Sequence, residues 1–333
     1  EKSTVPGRKL AVLLLIITII VGSGYWWLVR RTNFFVIKND IPPNNQQAKK
    51  QVAKKVIAVG DISCEPDIVV DASHCQMQQV VNAIEKQKAD NVLILGDLQY
   101  DKGQSENFQN VFTPLWKTLK PISYATPGNH EYYTKNAQGY FDYWNGNSQT
   151  SKSAGDRDKG YYSFNIGNWH IISLNSNCEF VGGCDKNSPQ FKWLEQDLQN
   201  NKAVCALAMW HHPVFTSGKY KKDMESRNRG QYFWQALQNS GVELVLNGHD
   251  HLYERFEPQT AAGVPEKDKG ISEFIVGTGG KSQYSFTDSQ FLPNHASGFE
   301  DKPGFLELSL EQAGYGWRFV DVSGAVLDNG KAR

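Results

Sequence analysis

Short apolar runs alternate with polar segments from residue 56 onward, and this pattern predicts alternating strands and helices. Buried strands are predicted at Val56–Val59, Val92–Leu95, Ile122–Thr126, Ala203–Met209 and Val242–Leu246. Apolar residues recur at intervals of three and four around Met77–Ile84 and Phe191–Leu198, which predicts two amphipathic helices. The second follows Ser188-Pro189, a favourable helix start.

Strand-like segments predominate toward the end of the chain. Tyr161–Ile166 and Trp169–Leu174 predict a strand pair joined at Gly167-Asn168, and further strands are predicted at 271–276, 305–310 and 317–322. Because strands alternate with helices early and predominate late, the pattern favours an α/β protein in which sheets pack together with helices outside.

The segment Leu10–Val29 differs from the rest, because its 20 residues include no charged side chain. At about 1.5 Å per residue, a helix of this length spans roughly 30 Å, the thickness of a bilayer's hydrocarbon core. Basic pairs flank it, and Tyr25–Trp27 would suit the interfacial aromatic belt. We predict a basic flank at 1–9, a transmembrane signal anchor at 10–29 and a polar linker at 30–54. A cleaved signal peptide and a buried core helix are the alternatives.

Formal charge is divided along the chain. The 333 residues include 35 basic and 35 acidic side chains, but residues 1–55 carry +8 and the remainder carries −8. The net charge of zero argues against a nucleic-acid binder, and the basic start fits a membrane flank beside anionic lipid head groups. A hydrophobic fraction of 40% excludes a disordered chain. The acidic region, residues 55–333, is expected to be the catalytic domain.

Five cysteines bear on the cellular compartment. Cys64 and Cys75 are close in sequence, as are Cys178 and Cys184, so two local disulfides are predicted, which fit an oxidising compartment. Cys205 lies in an apolar run and is predicted to be a buried free thiol. We expect the catalytic domain outside the cytoplasm, periplasmic or extracellular, and secreted if the N-terminal segment is cleaved. Five reduced thiols in a cytosolic enzyme are the alternative.

Metal-type side chains follow five predicted strands. In chain order they are Asp61, Asp97 with Tyr100, Asn129 with His130, His211 with His212, and His249 with His251. In α/β proteins, ligands collect at the carboxyl ends of strands, so these side chains are expected to meet. The set exceeds the three ligands of a single catalytic zinc and mixes oxygen with imidazole. It therefore predicts two metal ions of the iron, manganese or zinc type.

The segments that carry these residues resemble the motifs of the calcineurin-like metallophosphoesterase superfamily. They are Gly60-Asp61, Gly96–Tyr100, Gly128–Glu131, His211–Pro213 and Gly248–Arg255. The D-x-x-Y pattern at Asp97–Tyr100 and the Tyr-Glu-Arg at Tyr253–Arg255 resemble the purple acid phosphatase branch. The resemblance implies an α/β fold, a four-layer α/β/β/α sandwich of two mixed β-sheets, here preceded by the transmembrane helix.

The resemblance also implies a ligand set. One metal, Fe(III) in the purple branch, would be bound by Asp61, Asp97, Tyr100 and His251. The second, Fe(II), Zn(II) or Mn(II), would share Asp97 and be bound by Asn129, His211 and His249. His211 is preferred to His212 because the family pattern is His-x-Pro. The family's role for His130 is to contact the phosphate and help to protonate the leaving oxygen.

The chain departs from the family in its phosphate contacts. Plant relatives carry extra phosphate-contacting histidines after the His-x-Pro segment, whereas here no histidine lies between His212 and His249. Ser217, Lys219, Arg227 and Arg229 occupy this stretch instead. Arg229, with His212, is the candidate for a further substrate contact, and a solvated basic loop is the alternative. Glu254 and Arg255 are expected to pair, and Gly277–Gly280 to form a tight turn near the site.

The expected activity is hydrolysis of phosphate monoesters by in-line attack of a metal-activated hydroxide, as in acid phosphatases. A phosphodiesterase or nucleotidase with the same metals is the alternative, and a non-catalytic membrane-anchored binding ectodomain is a third. The expected partners are a small phosphate ester and, through the N-terminal helix, the membrane. No nucleic acid is expected, and the oligomeric state is left open.

Overall fold

The computed structural model describes residues 52–68, 71, 74–287 and 290–332. The predicted anchor at 10–29 and the flank at 1–9 lie outside the described residues, as does the linker up to residue 51. Within the described ranges, no helix combines the length and apolar character needed to cross a membrane.

The described residues form fifteen strands. They are β1 (Lys54–Val59), β2 (Asn91–Leu95), β3 (Ser123–Thr126), β4 (Thr150–Ser151), β5 (Gly155–Asp156), β6 (Tyr162–Ile166), β7 (Trp169–Ser173), β8 (Cys205–Met209), β9 (Leu244–Asn247), β10 (Tyr253–Gln259), β11 (Ile271–Val276), β12 (His295–Phe299), β13 (Gly304–Glu311), β14 (Gly314–Asp321) and β15 (Val326–Ala332).

The α-helices of the described residues are α1 (Met77–Gln87), α2 (Ser105–Asn107), α3 (Thr113–Trp116), α4 (Asn129–Tyr132), α5 (Gln138–Asn145), α6 (Pro189–Asn200) and α7 (Met224–Asn239). A π-helical turn at Phe108–Phe112 joins α2 to α3. Short 3₁₀ turns occupy Lys120–Ile122, Lys135–Ala137 and Cys178–Phe180.

Two mixed sheets dominate the fold. The first has six strands in the order β15-β14-β13-β1-β2-β3, and the second has seven in the order β12-β10-β11-β9-β8-β7-β6. Strands β1, β2 and β3 are parallel, whereas β13 runs antiparallel to β1. In the second sheet β7, β8, β9 and β11 are parallel, and β6 and β10 pair antiparallel to their neighbours.

Alternation of side chains along β1 separates two cores. Val56 and Ala58 point between the sheets, where they join residues of the second sheet such as Leu207 and Leu246. Ile57 and Val59 point to the opposite face, as the two-residue period of a strand requires. Each fully buried aliphatic side chain stabilises this arrangement by about 1.5–3 kcal/mol.

Helices cover both outer faces. On the first sheet, Val80 and Ile84 of α1 pack beside Ile57 and Val59. On the second sheet, α6 and α7 supply Phe191, Leu194, Phe233, Trp234 and Leu237 to a third core. The layers are therefore helix, sheet, sheet and helix, so the predicted four-layer arrangement is confirmed for the described residues.

Most predicted elements are present within one or two residues of their expected ends. The Ser188 hydroxyl accepts a hydrogen bond from the Phe191 N–H at the start of α6, as the start signal predicts. Helix α7 was not predicted, because its buried stripe of Gly230, Phe233, Trp234 and Leu237 begins with a glycine and lies in a polar stretch. Both predicted disulfides, between residues 64 and 75 and between 178 and 184, are present, and residue 205 is a buried cysteine outside both disulfides.

Candidate metal centre

Five turns meet at one edge of the two sheets. These ligand turns are residues 60–61, 96–100, 128–130, 211–212 and 248–251, and they follow β1, β2, β3, β8 and β9. The first three belong to one sheet and the last two to the other. The Gly60 N–H donates to the Val276 carbonyl at 2.8 Å, and the Gly248 N–H donates to the His211 carbonyl at 3.0 Å. Parallel strands therefore place the predicted ligands at a common edge, as expected.

Backbone strain is present at three of the predicted ligands. Asp61, Asp97 and His249 have φ values of 59°, 48° and 69°, in the left-handed region, and each follows a glycine. This region costs a non-glycine residue roughly 1–2 kcal/mol. Strain of this kind persists only where surrounding contacts over-determine the backbone, and it is concentrated at functional sites. The strained ligands therefore mark this sheet edge as the candidate site.

The Tyr100 hydroxyl is the meeting point of the first predicted ligand group. It lies 2.8 Å from Asp61 Oδ1, 2.8 Å from Asp97 Oδ2 and 2.9 Å from His251 Nε2. The His251 Nδ1–H donates to the Ser282 carbonyl at 2.8 Å, which leaves Nε2 directed at the site. A fixed tautomer of this kind is how proteins prepare histidine for a metal.

The second predicted ligand group surrounds His211 Nε2. This atom lies 3.2 Å from Asp97 Oδ2, 3.1 Å from Asn129 Oδ1 and 3.2 Å from His249 Nδ1. The His211 Nδ1–H donates to the Leu95 carbonyl at 2.8 Å, so its tautomer is fixed as well. Asp97 contacts both groups, which places it between the two predicted metal positions.

The buried carboxylates would be stabilised by a nearby positive charge, as the pKa values of their neighbours indicate. Burial disfavours a protonated His211, but the Asp97 charge and hydrogen bond together raise the pKa of His211 to about 9. Burial would raise the pKa of Asp97, but His211, His130 and His249 hold it well below its usual range. Burial and the charges of Asp61 and Asp97 raise the pKa of Tyr100. A cation among these groups would stabilise the carboxylates and favour a neutral His211 and an ionised Tyr100.

Glycines lie against the carboxylates, where a larger residue would overlap them. A Cβ at position 128 would lie 2.1 Å from Asp97 Oδ1, and one at position 248 would lie 2.6 Å from Asp61 Oδ2. Two sets of three side chains present ligand atoms within 4.8 Å of one another, namely Asp61 with Asp97 and His211, and His211 with His212 and His249. The donor set, the fixed tautomers and this close backbone approach fit two metal ions of the expected type.

His130 lies at the side of the centre. Its Nδ1–H donates to the Asp101 carbonyl, and its Nε2 is 3.9 Å from Asp97 Oδ2. The ring contacts those of Tyr100 and Tyr133, with centroids 4.2 Å and 4.7 Å away. His212 is only 4% exposed, and its Nδ1 pairs with the Ser176 hydroxyl at 2.8 Å. His211 rather than His212 therefore faces the carboxylate and amide oxygens.

Two of the predictions concern Arg229 and Glu254, and the structure shows the partners of both residues. Arg229 pairs with Glu179 at 3.0 Å and with Glu225 at 2.8 Å, so its charge is already compensated. The predicted pair of Glu254 with Arg255 is wrong. Adjacent residues of a strand point to opposite faces. Glu254 accordingly pairs with His295 and accepts from the Ser217 N–H, whereas Arg255 pairs with Asp328.

Glu131 was not assigned a role from the sequence, yet it holds two ligand turns together. Its buried carboxylate accepts hydrogen bonds from the N–H groups of Asp97, Leu98 and Gly128 at 2.7–2.9 Å. Burial and the Asp97 charge raise its pKa to about 8, although the backbone donors favour the ionised form. The available sequence signal was its position in the Gly128–Glu131 motif, two residues after Asn129.

A rim loop, residues 213–220, borders the centre, and the contacts that hold it were not predicted from the sequence. Three buried carboxylates hold its backbone. Glu273 accepts from the Val214 and Phe215 N–H groups, Glu254 accepts from Ser217, and Asp250 accepts from Lys219 and Tyr220. The loop ends with the Tyr220 ring stacked on the His249 ring at 3.9 Å. Only the fold reveals these contacts, because the carboxylates are 30–59 residues away from the amides that they bind.

The predicted turn at Gly277–Gly280 lies beside the site. The Gly279 N–H donates to the Gly60 carbonyl at 2.9 Å, and a Cβ at position 277 would lie 3.0 Å from Asp61 Oδ2. The turn therefore packs the second sheet against the first ligand turn.

Comparison with known proteins agrees with this geometry. The chain is 29% identical over 192 residues to probable purple acid phosphatase 20 of Arabidopsis thaliana, a match that covers 52% of this chain and 42% of that protein. It is 31% identical to acid phosphatase type 7 of Mus musculus, over 51% of this chain and 41% of that protein. It thus spans about two fifths of the length of these relatives.

The structure of purple acid phosphatase PPD1 from yellow lupin (Lupinus luteus) seeds superposes with a TM-score of 0.69. That match covers 85% of this chain and 54% of the lupin chain at 19% identity, so it establishes a shared fold. The profile described as calcineurin-like phosphoesterase matches residues 54–253, more than half of the sequence. Together with the ligand turns, this match places the chain in the calcineurin-like phosphoesterase family.

Proposed function

We propose that this protein is a phosphatase that hydrolyses phosphate monoesters at a two-metal centre. The observation that carries the proposal is the convergence of Asp61, Asp97, Tyr100, Asn129, His211, His249 and His251 at one sheet edge. Asp97 contacts both ligand groups, as a residue that is shared by two metals must. The family and its purple acid phosphatase relatives support the same reaction class.

We assign the first metal position, for Fe(III), to the oxygens of Asp61, Asp97 and Tyr100 with His251 Nε2. The second, for Fe(II), Zn(II) or Mn(II), is assigned to Asp97, Asn129, His211 and His249. When bound, the two cations would supply Lewis-acid activation of the phosphoryl group and of the attacking water.

The protein's own contribution to proton transfer is His130. Because its Nδ1–H is committed to the Asp101 carbonyl, Nε2 is the nitrogen directed at the centre. A proton held at Nε2 can be given to the leaving oxygen, which would otherwise depart as an unstable alkoxide. His212 and Arg229 stay proposed as further substrate contacts, although Arg229 would first have to exchange a glutamate for the substrate.

The test is an assay of the full-length chain with added iron, zinc or manganese, on an aryl phosphate monoester and on the matching diester. We expect turnover of the monoester, and a loss of at least about 10³-fold in kcat/KM for Asp97→Asn. Asp268→Asn, at an exposed carboxylate in a distant loop, is the control and should retain full activity. Full activity in Asp97→Asn would refute the site, faster diester turnover would favour a phosphodiesterase, and inactivity with intact metal binding would favour a binding ectodomain.

We further propose that residues 10–29 anchor the protein and that the catalytic domain lies outside the cytoplasm. Two disulfides in the described domain support an oxidising compartment. Protease added to intact cells should remove the catalytic domain, whereas resistance until the cells are lysed would place it inside.

A further inference from the structure

Two tyrosine rings cover the outer sides of the histidine pair at the metal centre. Tyr220 stacks on His249 with centroids 3.9 Å apart, and Tyr284 stacks on His251 at 4.0 Å with the planes only 7° apart. The two tyrosine centroids are 6.2 Å from each other. These rings therefore form an aromatic wall beside the histidine ligands.

The Lys219 ammonium lies over this wall. Its Nζ is 3.8 Å from the centroid of the Tyr284 ring and 5.5 Å from that of Tyr220. Because the His251 ring fills the inner face of Tyr284, the ammonium must occupy the outer face. It is held there by attraction to the ring, with Tyr284 between it and the imidazole.

Lys219 differs from Arg229 and Lys281, two other basic side chains near the centre, in having an uncompensated charge. Arg229 pairs with two glutamates, and Lys281 pairs with Glu65 at 2.5 Å. Arg227 packs its guanidinium over the Phe215 ring at 5.1 Å. In the described part of the chain no carboxylate forms an ion pair with the Lys219 ammonium, which is exposed. It is therefore free to bind an anion from solvent beside the centre.

The backbone that carries Lys219 is fixed. The Lys219 N–H donates to Asp250 Oδ1 at 3.2 Å, and the Tyr220 N–H donates to Asp250 Oδ2 at 3.3 Å. The Thr287 hydroxyl donates to the carbonyls of Ser217 and Gly218. The ammonium is thus presented from a rigid loop, which reduces the entropy lost when it binds a partner.

We propose that Lys219 is a specificity-determining residue that binds a second anionic group, a carboxylate or phosphate, on the leaving group of the ester. This inference rests on the proposed function. Because the Tyr284 ring lies between the Lys219 ammonium and the His251 ring, the ammonium is placed at the outer side of the ligand turns rather than among them. An anionic group a few bonds further along the substrate is within its reach, and its charge is complementary.

The experiment compares two esters that differ by one carboxylate, glycerol 2-phosphate and 2-phosphoglycerate, on the metal-supplemented full-length chain. We expect a lower KM for 2-phosphoglycerate. Lys219→Met should raise that KM about tenfold with kcat unchanged, while the KM for glycerol 2-phosphate should change by less than about twofold. Lys219→Arg should keep the preference. Lys222→Met, at an exposed lysine of the following segment, is the matched control and should have no effect.

Two results would overturn the role of Lys219: an equal rise in KM for both esters in Lys219→Met, and no change for either ester. If the unaltered protein hydrolyses neither compound, the proposed function fails by itself. Calorimetric binding of the same two compounds then tests Lys219 separately. Tighter binding of 2-phosphoglycerate that is lost in Lys219→Met supports the inference, and equal affinities before and after the substitution contradict it.

Discussion

The ligand turns and the rim loop are built from similar polar residues but are held in place differently. The ligand turns extend directly from buried parallel strands, and their strained backbone is held within the centre itself, since the Asp61 N–H donates to the Gly96 carbonyl, the Asp97 N–H to Glu131 and the His249 N–H to Asp61. The rim loop has no strand to direct it and depends on Asp250, Glu254 and Glu273 for its backbone hydrogen bonds. The difference indicates a division of tasks, with metals bound by the rigid sheet edge and substrates selected by a loop held by side chains.

The largest effect is expected where the ligand turns approach most closely. Gly128→Ala would place a Cβ 2.1 Å from Asp97 Oδ1 and also against the Asp97 backbone nitrogen, which leaves little room for movement. Overpacking of this kind costs about 1–3 kcal/mol, and displacement of Asp97 should weaken metal binding at both positions. We expect metal content, measured by elemental analysis, to fall below half of the original. Unchanged metal content and stability would mean that the close approach is not required.

The same substitution of a buried carboxylate in each region should separate their tasks. Glu131→Gln puts an amide against the N–H donors of Asp97 and Gly128, so metal affinity should fall roughly 10–100-fold, as for other partners of metal ligands. Glu254→Gln disturbs the rim loop and the pair with His295 rather than the ligand turns, and it should leave metal affinity within about threefold while raising KM. Metal titration followed by calorimetry, with KM measured in parallel, checks both; equal losses of metal affinity would contradict the division.

A smaller effect is expected from the ring at the end of the rim loop. Tyr220→Leu removes the stack on His249, which is worth about 0.5–1.5 kcal/mol, so KM should rise by about three- to tenfold. Tyr220→Phe keeps the ring and should behave like the original protein. If Tyr220→Phe has the larger effect, the hydroxyl rather than the stack is the important group.

The smallest effect on metal binding and activity is expected from a substitution that changes the pH dependence of stability. Burial raises the pKa of Glu273 well above its ordinary value of 4.5. Between those two values the unfolded chain has lost a proton that the folded protein keeps, so the free energy of unfolding falls as pH rises. Glu273→Gln removes this dependence, and its stability relative to the original should increase from about pH 4.5 upward by at most about 1.4 kcal/mol per pH unit. Urea unfolding at pH 5, 6, 7 and 8 measures the slope, and parallel curves would show that Glu273 does not titrate in this range.

The ligand turns could be predicted from the sequence, whereas the contacts that hold the rim loop could not. Buried strands are visible as apolar runs, and the polar residue after each run could be assigned to the sheet edge, because parallel strands end together. Glu131 sits within a recognised motif, but its four N–H contacts with 97–99 and 128 depend on two turns that only the sheet brings together. Helix α7 and the contact of Arg229 with Glu179 were likewise matters of packing.

By itself the sequence determined the fold class, the two disulfides and the residue types that gather at one edge. These depend on local periodicity and on residues that directly follow buried strands, which are short-range properties of the chain. The tertiary structure alone decided which charges are compensated and which are not. Arg229 and Lys219 are alike as sequence, yet one is paired with two glutamates and the other lies over an aromatic ring. The pair of Arg229 with Glu225 follows from helix α7, but Glu179 and Tyr284 lie 50 and 65 residues away from Arg229 and Lys219, and no local pattern brings them together.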